Sequence, residues 1–429
     1  MNRRVISRDL ALATSADVGR KLLGYVVLAI LARAFDASTM GRLFFAIALA
    51  SMFAMLTELG TQRYLVRQIA RDERHALRHL SEVLSLRLPA TAVAFALLGA
   101  IGLLFLRDRL AILVLAGLFT LVGDLYYTFA ALFLGLRRLG HRLATGLIDL
   151  VLLVFLVTVA VRRGWSLPAV LWCYVIAQVT MVVTTALVVR WCFGPFTLVG
   201  DTRRLRAVAR DSFPFFAVGF LGLLLFKVDT VMLGLLRSTD EVARYEAAYK
   251  FLEVSRFAVR PAGMVFFPLC AQLVARGDRS ALFALVRRLS SGALGIGAAV
   301  AAGAALLAPV AVPLVWGPAY ATSIPILRIL FLSAPFVYVA FVATFVAQAL
   351  LLERAIVRIL AASVLGNVLL NAAVIPRFGA AGAAWTTLAS EALLAIGLIV
   401  LVARRAPREE PHGWSAAARK AEAAGESVP

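Results

Sequence analysis

Charge is scarce in this chain. Charged residues make up 16% of its 429 positions, against roughly 25% in a soluble globular domain. With 62% of residues hydrophobic, the apolar surface is too large to hide in one water-soluble core, and lipid is the solvent the composition asks for. Cysteine is almost missing. Cys173, Cys192 and Cys270 are odd in number, lie in or beside apolar runs and form no CxxC pair, which argues against a disulfide framework and against a zinc site. The phosphate-cradling G-x-x-x-x-G-K loop is absent, so the chain carries no ATPase motif of its own. A GxSxG elbow is absent too, and His75 and His79 stand four apart without an HExxH pattern, as solvated residues do. Segments on the less basic side are all short, leaving little room for the external catalytic domain of a glycan polymerase or ligase. The expectation is a non-enzyme without cofactor or metal.

The sign of the charge is lopsided, +20 net. Such an excess can mark a nucleic-acid partner, but here most arginines sit in short segments between apolar runs, which is the positive-inside pattern of a polytopic membrane protein. No nucleic acid is expected. Arg3, Arg4 and Arg8 precede an apolar stretch as in a signal peptide, yet that stretch leads straight into more of the same and reads as a retained first helix.

The runs are far too long for the short alternating strands of a barrel, so the fold class is all-α integral membrane. Twelve helices are expected, near residues 10–34, 40–60, 83–106, 110–136, 143–161, 168–192, 212–236, 243–272, 287–315, 322–351, 356–375 and 380–403. Residues 1–195 would form an N-terminal six-helix lobe, 196–211 a cytoplasmic linker, 212–403 a C-terminal six-helix lobe, and 404–429 a disordered tail. Alternate inter-helix segments then carry 27 basic residues on one side and nine on the other, which places both termini in the cytoplasm. A weak internal repeat supports two lobes. Gly41-Arg42-Leu43 aligns with Ala243-Arg244-Tyr245 at an offset of 202, and Trp172 with Trp385 at 213. Two lobes entering from the same side make a parallel pseudo-twofold repeat, which flanks a central site.

Ionisable groups at membrane depth usually face a cavity or a partner. The eighth expected helix is richest. On a helical wheel Glu246, Lys250, Glu253, Phe257 and Arg260 fall within about 80°, with Arg256 beside them. This stripe suits a cavity lining, although Glu246–Lys250 and Glu253–Arg256 could also pair locally. Pro261 removes a backbone donor near Arg260, at a hinge or a static kink. Lys227 and Asp229 are about 200° apart on helix seven and cannot share a cavity; Lys227 is the phosphate candidate, Asp229 a packing or coupling residue. Arg20 and Lys21 form a cationic pair on helix one, where Lys21 could equally snorkel to the surface. The substrate-binding set is therefore Arg20, Lys21, Lys227, Lys250, Arg256 and Arg260, and the ion-coupling set Asp124, Asp229, Glu246 and Glu253. Asp124, Asp149 and Glu391 each stand alone in apolar runs, and Gln178, Asn367 and Asn371 suit interhelical hydrogen bonds.

Several stretches carry a family resemblance: LARAFDASTMGRLFFAIAL with TELGTQRYLVRQIARD, KVDTVMLGLLRSTDEVARYEAAYKFLE, WGPAY with SIPILRILF, and NVLLNAAVIPRFGAAGAAWTTLASE. Over roughly residues 10–403 the chain resembles the oligosaccharide (polysaccharide/O-antigen) flippase family of the multidrug/oligosaccharidyl-lipid/polysaccharide exporter superfamily. The resemblance implies a two-lobed helical bundle opening alternately to either side. It implies a polyprenyl-(pyro)phosphate-linked oligosaccharide as substrate, other polysaccharide-assembly proteins as partners, and H+ or Na+ as a coupling ion. It also implies a multi-pass protein of a bacterial or archaeal inner membrane. Asp229, Glu246 and Lys250 stand within matching segments; the other site candidates rest on position alone. A multidrug or cation exporter of the same superfamily would want an acid-dominated cavity, whereas cations lead here by six to four. A lipid-II-type flippase would commonly carry two further helices.

Overall fold

The computed structural model describes residue 19 and residues 23–405, without the side chains at 258, 260–262, 264, 265, 279 and 405. Arg20, Lys21 and the segment 406–429 lie outside the described residues, as does the side chain of Arg260. Every element is helical: α1 (Leu23–Ala34), α2 (Ala37–Glu58), α3 (Thr61–Arg71), α4 (Ala76–Phe105), α5 (Leu110–Gly135), α6 (Leu139–Arg162) and α7 (Leu167–Cys192). After an irregular stretch come α8 (Thr202–Leu236), α9 (Thr239–Ala275), α10 (Arg279–Trp316), α11 (Ile324–Phe331), α12 (Ala334–Ala349) and α13 (Glu353–Arg405).

Among the described residues, eight helical segments are long and apolar enough to cross a membrane, nine if α11 and α12, bent by 42° at their junction, make one broken span. Side chains such as Phe105, Val151, Leu306 and Leu314, each at least two-thirds exposed, form an outer surface that only acyl chains would cover. The repeat-related Trp172 and Trp385 are both 51% exposed on it. This is a multi-pass membrane protein.

Three of the twelve expected spans are not separate members of that count: the first, the eighth and one of the last two. Twelve residues of α1 are described. Helix α9 is dense in charge, with Glu246, Lys250, Glu253 and Arg256 inside it. Helix α13 runs 53 residues and is broken at Gly379, whose φ of 55° and ψ of −135° are open to glycine and strained for other residues. Its two arms fold back on each other: the Asn367 amide donates to Ser390 Oγ at 3.1 Å across the turn. The turn is held by Glu241 of α9, which accepts from the Ala380 N–H at 2.8 Å and would collide with any Cβ at 379. Of the expected linker, residues 202–211 are already helical, because Asp201 caps α8 by accepting from the Arg203 N–H at 3.0 Å. The basic segment before the expected third helix is also helical, as α3 and the first turns of α4.

Helices α2–α7 pack on one another, as do α9–α13; α2 joins the two groups along α8 and α9, and α8 meets α3 and α4 as well as α13. Helices α2 and α8 run antiparallel along their length, with Gly234 against the Phe45 ring and Gly219 against Met55. The repeat is visible at the helix starts. Asp36 and Ser238, 202 residues apart, are the N-caps of α2 and α9, with φ/ψ of −66/159° and −72/155°. Those two starts touch, with Ser38 Oγ 2.8 Å from Thr239 Oγ1. Gly41 packs so tightly on the Thr239 carbonyl that no side chain fits between them. Nearby, Arg109 donates to the Gly234 carbonyl at 2.9 Å. The end of the molecule with few arginines is thus closed between the two groups.

Candidate functional site

A cavity of about 750 Å³ lies between the helix groups, walled by α2, α3, α5, α7, α8 and α9. Its polar groups are Glu58, Gln62 and Arg63 from the α2–α3 break, Asp124 and Tyr127 from α5, Gln178 from α7, Lys227 from α8 and Glu253 from α9. The rings of Phe119, Phe215, Phe226 and Phe257 supply much of the remaining wall. A few convergent polar groups on an aromatic wall is the usual make-up of a ligand site. Gln62, Arg63 and Tyr127 also line a second cavity of about 360 Å³, which adds Arg67 and Arg142. The two form one passage from the arginine-rich end to the level of Lys227.

The structure brings part of the expected set together. Lys227 lines the cavity, its ammonium 3.5 Å from Glu246 Oε1. Glu246 lies behind the wall, accepting from Thr230 Oγ1 at 2.5 Å, with its other oxygen 3.1 Å from Lys250 Nζ. Lys250 is held between Glu246 and Glu253, at 3.1 and 3.0 Å, and its ammonium lies 5.7 Å from the Tyr25 ring centre. Lys227, Lys250, Glu246 and Glu253 therefore form one alternating cluster with two charges of each sign, of which Lys227 and Glu253 reach the cavity. The local-pairing alternative fits for Lys250 but not for Arg256. Arg256 turns from Glu253 to Glu391 of α13, at 2.5 Å, with its guanidinium 4.4 Å from the Phe226 ring centre.

Lys227 and Asp229 do point to different places. Asp229 is 1% exposed. Its Oδ2 accepts from Tyr245 and Thr387, both at 2.8 Å, and its Oδ1 from the Asn371 amide at 2.5 Å. The Asn371 amide also donates to Asn367 Oδ1 at 3.0 Å, and Asn371 Oδ1 is buried with no hydrogen-bond partner. Among the described residues no Lys or Arg pairs with Asp229. A buried carboxylate without a counter-charge is costly unless a proton or a cation joins it. The surrounding oxygens, two amide carbonyls and the hydroxyls of Tyr245 and Thr387, are hard donors that suit a small cation.

Sequence reasoning singled out Asp124 but not its partner. Arg87 of α4, wholly buried, makes an ion pair with Asp124 and donates to Thr128 Oγ1 at 2.5 Å. Sequence reasoning also missed Glu58 and Arg63. Glu58 accepts from the backbone N–H groups of Gly60 and Gln62, at 3.2 and 2.9 Å, where the chain turns from α2 into α3. Arg63 has no carboxylate partner among the described residues and faces both cavities. The helix-breaking LGT at residues 59–61 was the available signal, since it lifts Arg63 off the loop and into the wall.

Known proteins match this architecture. A family model described as polysaccharide biosynthesis protein matches residues 6–274. An inward-facing multidrug resistance MATE transporter of the MOP superfamily superposes with a TM-score of 0.69 at 15% identity, over 90% of this chain and 94% of that one. The lipid II flippase MurJ, in an inward closed conformation, gives 0.69 at 13% identity over 92% and 87%. A MOP superfamily transporter from Pyrococcus furiosus, noted for the reversed polarity of its binding pocket, gives 0.63 at 15% identity over 93% and 94%. No curated protein sequence matches significantly. At such identities the structural likeness speaks for the fold alone.

Proposed function

Because the chain belongs to the polysaccharide biosynthesis protein family, we propose that it is a flippase that carries a polyprenyl-(pyro)phosphate-linked oligosaccharide from the cytoplasmic to the outer leaflet of a bacterial or archaeal inner membrane. Twelve spans in two six-helix lobes, with both termini cytoplasmic, complete this reading. The arginine-rich end is then the cytoplasmic mouth, and the closed Ser38–Thr239 end faces outward. Alternating access would part that closed end while the passage at Arg63 closes.

The observation that carries the reading is the charge left over in the passage. Asp124 is paired with Arg87 and Glu253 with Lys250, so Glu58, held by two backbone N–H groups, is the one cavity carboxylate that no described cation pairs. The cation at Arg63 is not paired off in this way, and Arg67 adds a second on the approach. A recessed positive surface raises the local concentration of anions, and arginine offers a phosphate two parallel hydrogen bonds. A pyrophosphate headgroup would meet Arg67 and Arg63 on entry and Lys227 at depth, with the phenylalanine wall beside the sugars.

Asp229 is the coupling residue in this reading, its hard oxygen shell taking H+ or Na+. Because α13 supplies Asn367, Asn371 and Thr387, ion binding there would tie α8 to both arms of α13 and bias the tilt of the second lobe.

A cation exporter remains the rival, and three carboxylates at the cavity wall speak for it. Reconstituted vesicles separate the two. Offered a fluorescent polyprenyl-pyrophosphate glycan and an aromatic cationic dye, the protein is expected to move the glycolipid and leave the dye. Dye movement without glycolipid movement would overturn the proposal.

A further inference from the structure

Of the eight candidate spans among the described residues, α10 is the least buried, with 11% of its most apolar stretch buried. It leans on α12 and diverges from α9, leaving a cavity of about 660 Å³ among the three. The cavity is separate from the charged passage: Glu253 and Phe257 of α9 face the passage, while Val259, Phe266 and Cys270 face this groove. Its wall is apolar, with aromatic rings from Phe266, Phe341 and Phe345. Ile296, also on the wall, is 62% exposed, so the groove opens sideways to the membrane.

Among the described wall residues one is charged. Arg288 sits at the arginine-rich end, exposed, and no ion pair engages it among the described residues. From Arg288 to Val300 the wall on α10 runs twelve residues, about 18 Å at helical rise. That is close to one leaflet, half of a hydrocarbon core about 30 Å thick. A guanidinium at the interface above a leaflet-long apolar slot fits a phosphate headgroup with one acyl chain beneath it.

We propose that this groove is a binding site for an anionic glycerophospholipid of the cytoplasmic leaflet, its phosphate on Arg288 and an acyl chain between α9 and α10. Charge complementarity fixes the headgroup sign, and the length of the slot favours an acyl chain over a much longer polyprenyl tail. The lipid fills the gap behind the part of α9 that carries Glu246, Lys250 and Glu253 on its other stretch. A filled groove therefore braces the helix that bears the charged cluster.

Gly292 offers a clean test, because a Cβ there meets no atom within 4 Å and a larger side chain would enter the slot instead of the core. Full-length protein in detergent is titrated with phosphatidylglycerol or phosphatidylcholine, and bound lipid is counted by native mass spectrometry beside the thermal midpoint. Wild type is expected to retain phosphatidylglycerol in preference. Arg288→Gln should reduce that preference about fivefold, the effect of one interfacial cation, while Gly292→Phe should lose both lipids with its lipid-free midpoint unchanged. Equal retention of phosphatidylglycerol by Gly292→Phe and wild type would overturn the site. So would an Arg288→Gln variant with undiminished preference, or a polyprenyl phosphate that displaces phosphatidylglycerol from wild type at equal concentration.

Discussion

Arg87→Met is expected to destabilise the protein by about 3–5 kcal/mol, the cost of leaving a buried charge without its partner. Arg87 is wholly enclosed among α4 and α5, where its guanidinium answers Asp124 and Thr128. Removing it strands the Asp124 carboxylate beside the cavity. The cost is therefore one of abandonment and not a measure of what the pair contributes. Replacing both partners removes both charges, and a double variant Arg87→Met/Asp124→Leu should recover most of the lost stability. Thermal or denaturant unfolding of the purified protein in detergent checks both parts. If the double variant is no better than the single one, Asp124 is not the group that Arg87 neutralises.

Asp229→Asn is expected to leave the fold intact and to cut ion-driven transport by about 5–150-fold, the usual span of a coupling free energy. The fold should survive because the groups around Asp229 are adaptable. The Tyr245 and Thr387 hydroxyls can turn from donating to accepting when an amide replaces the carboxylate. What disappears is the only formal negative charge among the described residues of that oxygen-rich pocket, and with it the reason for a cation or proton to enter. Transport measured in vesicles with an imposed H+ or Na+ gradient should lose its dependence on the gradient, with unchanged thermal midpoint. A variant that keeps its gradient dependence places the coupling site elsewhere.

Much of the fold is legible in the sequence because lipid imposes one rule on every span: enough apolar residues in a row, with polar breaks between. The elements expected from Ala37 to Cys192 appear within a few residues of their places, except where basic stretches add helix. Those additions, α3, the start of α4 and residues 202–211, are amphipathic or charged helices at the interface, which hydropathy alone reads as loop. Asp36 and Ser238, 202 residues apart, hold the N-cap positions of α2 and α9 with similar extended backbones, though only Asp36 caps with its side chain.

The site is less legible, because pairing depends on neighbours that sequence distance hides. A helical wheel places Lys250 and Arg256 near one stripe. It cannot show that Lys250 is locked between two glutamates while Arg256 reaches Glu391, 135 residues away. Asp229 reads in the sequence as a packing or coupling residue facing away from Lys227; its partners Asn367, Asn371 and Thr387 arrive from both arms of α13. Arg87 and Asp124 could have been matched, since they lie at comparable distances either side of the turn at residues 106–109 and so at similar depth. For Arg63 the break at Leu59 and Gly60 is a signal in the sequence, but how that break redirects the chain shows only in the fold.

The central claim is that positive side chains in the passage hold an anionic lipid headgroup, and charge removal at the cavity tests it most directly. Initial flipping rates of a polyprenyl-pyrophosphate glycan are compared in vesicles holding equal amounts of wild type and of Arg63→Gln/Lys227→Gln. Two charge-assisted phosphate contacts, at about 1.5–3 kcal/mol each, predict a loss of about a hundredfold or more, measured per folded molecule because Lys227 also pairs with the buried Glu246. A double variant that flips the glycan at the wild-type rate would contradict the account.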